Sequence, residues 1–418
     1  MMLVFVIFIF TLVFLQRQYK SFVTPPVFFA AYWIVQLFIP VLLAGSFYYS
    51  GSAFLFIYFC VLAFAVGFML VTNKVPTGRD SGIGFREYII ANESSLLRLQ
   101  LILLVFGASL AVYELTKYGY SISKIQSLAA IETISRDISV ARAENAGMPA
   151  DSAVSSLLKI PFYASFLVSG MLVRAVPKRV LYKYLNFIFG LFLMMITTKK
   201  TYLLNPLVLF FATYFLVPGK VRNARSKFYK AILVTVLSVS LIGLFFYSQA
   251  NRYGMKVGEN SIVLDRMKVY FFGHASVFSI WYDQQPVFDH YELGKYNFSG
   301  IISVIDKNSD LKEGVFTDFT DLSNDGLRSN IYTAYRGWLE DFGYFSILVH
   351  FMFGMITGVV YREYRERKTP IAFVLLSMFY AYVLWSFVVN LFNYTTIFLA
   401  YFLLALNLKL WNRKPVLS

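Results

Sequence analysis

Long apolar runs recur along this chain of 418 residues, and they constrain its fold more than any other feature. A helix needs roughly 20 apolar residues to cross a bilayer, and about eleven stretches approach that length. Inside lipid, only helices and closed barrels satisfy the backbone, and these runs lack the alternating pattern of barrel strands. With 58% hydrophobic and 19% aromatic residues, the chain exceeds what one soluble core could bury. The sequence therefore predicts an all-α polytopic membrane protein.

The predicted spans follow from the apolar runs. They lie at residues 1–15, 27–44, 53–71, 99–115, 157–173, 184–196, 202–217, 231–247, 342–361, 371–389 and 396–410. The first run lacks the basic segment and the cleavage site of a signal peptide, so we expect it to stay as a helix. We expect residues 1–418 to form a single transmembrane domain.

Lysine and arginine collect in alternate connectors between the runs. Arg17 and Lys20 lie in the first of these connectors, and the stretches "GKVRNARSKFYK" and "YREYRERK" lie in later ones. Because basic loops stay in the cytoplasm, the pattern predicts an extracytoplasmic amino terminus and a cytoplasmic carboxyl terminus. The formal net charge of +15 then reflects topology, and it gives no reason to expect a nucleic-acid partner.

Two long connectors fall on the predicted outer side, at residues 116–156 and 248–341. Within the second, residues 262–282 are apolar but interrupted by charged side chains. We expect this segment to lie in the interface or to re-enter the bundle. The cytoplasmic connectors are short and contain no P-loop, which argues against ATP-driven transport by this chain alone.

A lysine pair separates two apolar runs in the stretch "LFLMMITTKKTYLLNPLVLFF". The order of crossings puts Lys199 and Lys200 outside, where basic residues are unexpected. One interpretation is that they snorkel to the headgroup layer and anchor the helix ends. The other is that they bind an anion at the outer surface, together with Arg252 from the start of the second long connector.

Polar and aromatic residues crowd the stretch "LRSNIYTAYRGWLEDFGYF" just before a later run. They include Arg328, Asn330, Tyr332, Thr333, Arg336, Glu340 and Asp341. At helical spacing Tyr332, Arg336 and Glu340 would share one face, and Arg336 and Glu340 would form an i,i+4 pair. The set is typical of an interfacial aromatic belt with a solvated ion pair. It also suits a lipid-linked pyrophosphate held by basic groups, with sugar rings stacked on the aromatic side chains.

The segment "SNIYTAYRGWLEDFGYFSILVHFMFGMITGVVYREY", the basic turn and the later arginine resemble the Wzy-type oligosaccharide repeat unit polymerases of O-antigen and capsule synthesis. The resemblance covers the topology of the whole chain, and the residues of the turn and of roughly the last third. It implies a GT-C-like glycosyltransferase of the bacterial inner membrane that acts outside the cytoplasm. The expected reaction moves a growing glycan from undecaprenyl pyrophosphate onto a new lipid-linked repeat unit. A chain-length regulator is implied as a possible partner.

The resemblance also points to site residues. Lys199 or Lys200 stands where this family and the related O-antigen ligases often have arginine, and Arg252 matches a later arginine. The closing motif is matched by Asn330, Tyr332, Thr333 and Asp341. The family does not indicate a general base. The candidates are His274, Glu340 and Asp341, in no order.

Other functions compete with the polymerase. An O-antigen ligase uses the same donor but transfers to lipid A core, and composition does not separate the two. A flippase or transporter of lipid-linked sugars is commonly built from internal repeats, and no convincing repeat is seen here. The sequence contains no D-x-D motif, no zinc-ligand spacing and only one cysteine, Cys60. We therefore expect transfer without a metal or another cofactor.

Overall fold

The computed structural model describes residues 1–72, 83–144, 152–176, 181–218, 243, 246–247, 260–285, 291–305, 316–322 and 326–411. Within these ranges the chain forms helices and one short antiparallel pair of strands. The chain divides into two compact units. Unit 1 comprises Met1–Gly84 and Lys268–Ser418, and unit 2 comprises Phe85–Met267.

The elements follow one another in a simple order. The helices of the first half are α1 (Met2–Tyr19), α2 (Pro25–Leu43), α3 (Gly51–Thr72), α4 (Ile83–Ala91), α5 (Glu93–Thr116), α6 (Leu128–Glu144), α7 (Ala153–Ala175), α8 (Leu185–Thr197) and α9 (Thr201–Leu216). The remaining helices are α10 (Asn260–Gln284), α11 (Ser299–Ile305), α12 (Ala334–Phe342), α13 (Ser346–Glu366), α14 (Pro370–Trp385) and α15 (Thr395–Trp411). Strands β1 (Thr320–Asp321) and β2 (Arg328–Ser329) pair just before α12.

In the described part of the chain, six helical stretches are long and apolar enough to cross a membrane: α1, α2, α3, α5, α7, and Ala334–Glu366 taken as one. Shorter apolar helices occupy Leu185–Thr197, Thr201–Leu216, Pro370–Trp385 and Thr395–Lys409. The prediction of an all-α, multi-pass membrane protein is therefore confirmed. The count of about eleven spans stays a prediction, and most of the run at residues 231–247 lies outside the described residues.

The core of unit 1 is the close packing of α3 against α13. A Cβ atom added at Gly354 would lie 2.1 Å from the carbonyl oxygen of Phe64, and one at Gly358 would meet the Phe68 backbone at 3.2 Å. The two glycines form a G-x-x-x-G motif, which lets membrane helices approach at backbone distance. Because residue numbers rise together along both helices, α3 and α13 run in the same direction.

One end of unit 1 carries basic connectors. The Tyr19 hydroxyl lies 3.0 Å from the Thr72 hydroxyl, which joins the end of α1 to the end of α3. Near the same end, the ring of Phe68 packs against that of Tyr361, with centroids 5.3 Å apart. The connector after α1 and the "YREYRERK" stretch therefore lie at one end of the unit, as the positive-inside pattern predicts.

The other end of unit 1 carries the uncharged connector between α2 and α3. Tyr48 and Ser50 in this connector donate to the carboxylate of Asp283 at 2.7 and 2.8 Å. The neighbouring Tyr282 hydroxyl lies 3.1 Å from that of Tyr344, where α13 is about to begin. This end is the predicted outer one, and that orientation stays a prediction.

Helix α14 is short, and the connector that follows it contacts the start of α12 at this end of unit 1. The 16 residues of α14 extend about 24 Å at 1.5 Å per residue, less than the roughly 30 Å of a bilayer core. The connector after α14 is buried, and the Ser386 carbonyl accepts a hydrogen bond from the Ala334 amide at 2.7 Å. Helix α12 thus begins directly on this connector.

Helix α10 is a continuous helix of 25 residues that contains the segment predicted to be interfacial or re-entrant. It is not among the helices that are apolar and long enough to span. In its middle, the Nε2 atom of His274 lies 3.2 Å from the carbonyl oxygen of Gln36 on α2. The helix therefore packs inside unit 1 at this point, and whether it re-enters stays a prediction.

Unit 2 is built from α5, α7, α8 and α9, with α6 packed on their ends. Ile134 and Ile138 of α6 form one buried cluster with Leu115 of α5 and Ile196 of α8. The long connector at residues 116–156 is thus not a plain loop, because its amphipathic helix covers the ends of two apolar helices.

Candidate functional site

Arg336 is the centre of a charged cluster in unit 1. Its Nη1 atom donates to the Oδ2 atom of Asp318 at 2.6 Å, and its Nε atom donates to the Oε1 atom of Glu340 at 3.3 Å. Arg336 is only 8% exposed. A cation this buried needs compensating charge, and the two carboxylates supply it. The predicted i,i+4 pair of Arg336 and Glu340 is confirmed.

Aromatic rings surround the Arg336 guanidinium. Its central carbon lies 4.1 Å from the ring centroid of Phe316, 4.1 Å from that of Tyr332 and 4.9 Å from that of Trp281. Each distance falls within the range of a cation–π contact, and partial burial strengthens such contacts. We refer to Trp281, Phe316, Asp318, Tyr332, Arg336 and Glu340 as the Arg336 cluster.

The backbone at Thr333 separates Tyr332 from the helix that carries Arg336. Thr333 has φ +70°, and its side chain accepts from the Tyr335 amide, so α12 begins at Ala334. Tyr332 therefore does not share a helical face with Arg336, contrary to the spacing argument. It reaches the cluster from the preceding segment, where its hydroxyl lies 2.9 Å from Asp318 Oδ2.

Asp318 and Glu340 are the carboxylates of the cluster that reach its surface. Their side chains are 52% and 27% exposed. Burial raises the pKa of Asp318, but the hydrogen bond and the charge of Arg336 lower it more, so this pKa lies below its ordinary value. Asp318 is therefore ionised at neutral pH. Sequence reasoning missed it, because it lies 18 residues before Arg336 with no periodic pattern linking them.

Asp341 lies next to the cluster in sequence but has a different environment. It is completely buried, and its oxygens accept from the Tyr296 amide at 2.9 Å, the Asn297 amide at 2.8 Å and the Asn297 side chain at 2.6 Å. The Asn297 side chain accepts in turn from Asn390 at 2.7 Å. These contacts fit a carboxylate that fixes the turn before α11. A catalytic role for Asp341 stays a prediction.

The remaining candidates of unit 1 have supporting positions. Asn330 donates to the carbonyl oxygen of Phe316 at 2.8 Å and so holds a ring that covers Arg336. Arg328 is exposed and pairs with Asp321 at 2.5 Å. His274 is buried in α10, with its ring 5.4 Å from that of Phe387.

The lysine pair lies in unit 2, in the turn between α8 and α9. Thr198 adopts a left-handed conformation with φ +54°, and its hydroxyl lies 2.9 Å from that of Ser139 on α6. Lys200 is 7% exposed. The Nζ atom of Lys199 lies 3.7 Å from Oε2 of Glu114 and 5.7 Å from the ring centroid of Tyr202. The turn is thus tied to α6 and paired with a carboxylate, and it is not simply open to the headgroup layer.

Glu114 was missed by sequence reasoning, although a signal was present. It is a carboxylate near the end of an apolar run, and ionisable side chains in such runs usually have partners or functions. It is completely buried, and its Oε1 atom accepts from Ser155 at 2.9 Å and from Tyr202 at 2.8 Å. The carboxylate therefore connects α5, α7 and α9.

The predicted residues thus separate between the two units. Arg336, Glu340 and Tyr332 come together in unit 1, whereas Lys199 and Lys200 belong to unit 2. Arg252 lies outside the described residues. Among the residues that the structure describes, no group of three or more His, Cys, Asp or Glu side chains could hold a metal ion.

Comparisons with family models, with curated proteins and with solved structures found no match to this chain.

Proposed function

We propose that the protein is a glycosyltransferase of the bacterial inner membrane that polymerises oligosaccharide repeat units carried on undecaprenyl pyrophosphate. The observation that carries this proposal is the Arg336 cluster. It combines two surface-reaching carboxylates with three aromatic rings around one guanidinium. Sugars bind through apolar ring faces and hydroxyl groups, and a set of aromatic and carboxylate side chains offers partners for both. The resemblance of the closing motif to the repeat unit polymerases supports the same proposal.

The proposed reaction needs a base for the acceptor hydroxyl. The hydroxyl oxygen attacks the anomeric carbon of the donor, its proton passes to a carboxylate, and undecaprenyl pyrophosphate leaves with the electrons of the broken C–O bond. Glu340 and Asp318 are accessible for this role, whereas Asp341 is completely buried. Asp318 is the weaker base, since Arg336 lowers its pKa. We therefore assign the base to Glu340.

The leaving pyrophosphate needs cations. From the resemblance alone, Lys199, Lys200 and Arg252 are assigned to this task. Lysine supplies a point charge where arginine would supply a two-pronged donor. Basic side chains can stabilise the charge that develops on the leaving group without a metal. Metal independence is thus part of the proposal.

The lipid part of the donor needs an apolar surface. In unit 1 an open cavity of about 560 Å³ is lined by Ala63, Tyr291, Tyr344, Phe345, Ile347, Leu348 and Phe351. The cavity lies beside the start of α13. There the hydroxyl of Tyr344 is hydrogen-bonded to that of Tyr282, the residue next to Trp281 of the Arg336 cluster. We propose that an isoprenoid chain in this cavity would place the attached pyrophosphate near the end of unit 1 that carries the Arg336 cluster.

A deletion strain of the native bacterium tests the proposal through the length of its surface glycan on a gel. We expect glycan limited to one repeat unit, restored to full length by the wild-type gene and not by a Glu340→Gln variant. Free polymer that is not joined to its anchor would instead indicate a ligase, and loss of all extracytoplasmic units would indicate a flippase. Glycan of normal length in the deletion strain would contradict all three functions.

A second experiment tests metal independence. Purified protein and a lipid-linked repeat unit should give polymer in the presence of EDTA at the rate seen without it. Loss of polymer on chelation, with recovery when Mg²⁺ or Mn²⁺ is returned, would show that this part of the proposal is wrong.

A further inference from the structure

Glu114 in unit 2 is a buried charge that the proposed reaction does not use. Its Oε1 atom accepts from Ser155 and Tyr202, and its Oε2 atom lies 3.7 Å from the Nζ atom of Lys199. Burying a carboxylate away from solvent costs free energy unless cations and hydrogen-bond donors compensate it. Lys199 is therefore part of the environment that keeps Glu114 in place.

Basic side chains gather around Tyr202. The Nζ atoms of Lys159 and Lys199 lie 5.5 and 5.7 Å from the centroid of its ring. Lys200 precedes α9 in the same turn and is buried. We refer to Glu114, Lys159, Lys199 and Tyr202 as the Tyr202 cluster, whose formal charges sum to +1. Within this cluster, Lys199 already has an anionic partner in Glu114.

An anion that binds Lys199 has to compete with Glu114. The carboxylate cannot follow the lysine freely, because Ser155 on α7 and Tyr202 on α9 hold its Oε1 atom. Binding of a phosphate group therefore weakens the Lys199 and Glu114 pair, and release of the phosphate restores it. The contact between Lys199 and Glu114 therefore opposes binding of the phosphate group and favours its release.

We propose that Glu114 is a positioning residue that competes with a bound phosphoanion for Lys199 and thereby promotes release of the pyrophosphate product. The inference rests on the proposed function for the identity of that product. The competition itself depends only on the Tyr202 cluster. It predicts that removing the charge of Glu114 tightens anion binding, which is opposite to the effect of structural damage.

Glu114→Gln tests this in the full-length protein in lipid nanodiscs, titrated with inorganic pyrophosphate by calorimetry. Glutamine keeps an oxygen for Ser155 and Tyr202 but removes the charge. We expect the dissociation constant to fall at least about fivefold, which is the effect of removing one unit charge about 4 Å away even when water screens it fully. In the glycan assay, KM for the donor and kcat should both fall, because product leaves more slowly.

Three variants make the test specific. Glu132→Gln removes the same charge from an exposed position on α6, and its pyrophosphate affinity should match the wild type. Glu114→Asp withdraws the carboxylate by one methylene and should give an intermediate affinity, which also serves if the glutamine variant does not accumulate. The double variant Glu114→Gln with Lys199→Ala should bind more weakly than the wild type, because the gain acts through Lys199.

Several outcomes would overturn the inference: no pyrophosphate binding by the wild type, equal or weaker binding by Glu114→Gln, or a double variant that binds as tightly as Glu114→Gln. These results are separate from those of the deletion strain. A strain limited to one repeat unit, together with unchanged affinity in Glu114→Gln, would remove this inference alone. Tighter binding together with a normal glycan would leave the competition standing and remove the proposed function.

Discussion

Arg336 donates through Nη1 to the Oδ2 atom of Asp318 at 2.6 Å, although 18 residues separate them in the chain. The contact joins α12 to the segment before strand β1. The central carbon of this guanidinium also lies 4.1 Å from the ring centroids of both Phe316 and Tyr332. The polar segment at the predicted outer end of unit 1 is therefore organised around the buried side chain of Arg336.

Arg336→Lys should reduce polymer formation strongly while leaving a positive charge in place. Lysine cannot donate to Asp318 and Glu340 from fixed positions, and its ammonium group lacks the planar guanidinium that contacts the rings of Phe316 and Tyr332. Loss of one charge-assisted hydrogen bond of about 1.5–3 kcal/mol corresponds to roughly a ten- to hundredfold lower rate. The measurement is polymer formed per molecule of purified enzyme. Arg328→Lys, at the exposed pair with Asp321, is the control and should keep most activity. Equal losses in both variants would contradict the assignment.

Asp318→Asn should lower thermal stability at neutral pH, by an amount that disappears in acid. The pKa of Asp318 is lowered in the folded protein. Its ionised form therefore contributes stability above about pH 4, the value in the unfolded chain, and the contribution is lost as the pH falls through the lower folded value. Half exposure of the side chain keeps the effect small. Thermal unfolding of both proteins from pH 7 to pH 3 measures the difference. A gap that widens in acid would show that the sign is wrong. As a control, Asp321→Asn removes an exposed pair with Arg328 and should change the unfolding temperature little at neutral pH.

Asp341→Asn should damage folding more than chemistry. One oxygen that now accepts from backbone amides would become an NH₂ group, leaving a buried donor unpaired at a cost of about 1–3 kcal/mol. We expect less protein in the membrane and a lower unfolding temperature, with nearly normal activity per folded molecule. A variant that accumulates normally but forms no polymer would instead support Asp341 as a catalytic residue.

Gly354→Ala should loosen the packing of α3 on α13. The new methyl group would meet the Phe64 carbonyl oxygen at 2.1 Å, so the helices must separate. Overpacking of this kind costs roughly 1–3 kcal/mol. Gly358→Ala should cost less, since its closest neighbour is the Val71 side chain at 3.1 Å. Val359→Ala, at an exposed position on the same helix, is the control. The unfolding temperature in detergent should be lowest for Gly354→Ala, higher for Gly358→Ala and highest for Val359→Ala. A Gly354→Ala protein as stable as the Val359→Ala protein would contradict the close contact of α3 with α13.

Lys199→Ala should reduce accumulation of the protein, because it leaves the buried carboxylate of Glu114 without its cation. Removing one partner of a buried pair typically costs about 3–5 kcal/mol. The double variant with Glu114→Gln should accumulate normally and still fail to make long polymer. Membrane immunoblots and glycan gels measure the two effects separately. Full-length polymer from the double variant would restore the simpler interpretation of Lys199 as a membrane anchor.

The sequence by itself determined the features that depend on local spacing. Runs of apolar residues require helices in lipid wherever they occur, and four-residue spacing brings Glu340 to Arg336 on a single helix. The basic connectors at one end of unit 1 likewise follow from a rule that reads each loop separately. These predictions needed no knowledge of which helices pack together.

Only the tertiary structure decided the partners that come from distant segments. Asp318 meets Arg336, and Glu114 meets Lys199, through contacts that no periodicity encodes. Tyr332 lies before the helix that Thr333 caps, yet its ring centroid is 4.1 Å from the central carbon of Arg336. Burial also decided which carboxylates are accessible: Asp341 is adjacent to Glu340 in sequence, yet only Glu340 reaches the surface. Such contacts depend on how whole helices and loops pack, and the free energy that selects them is spread over many residues.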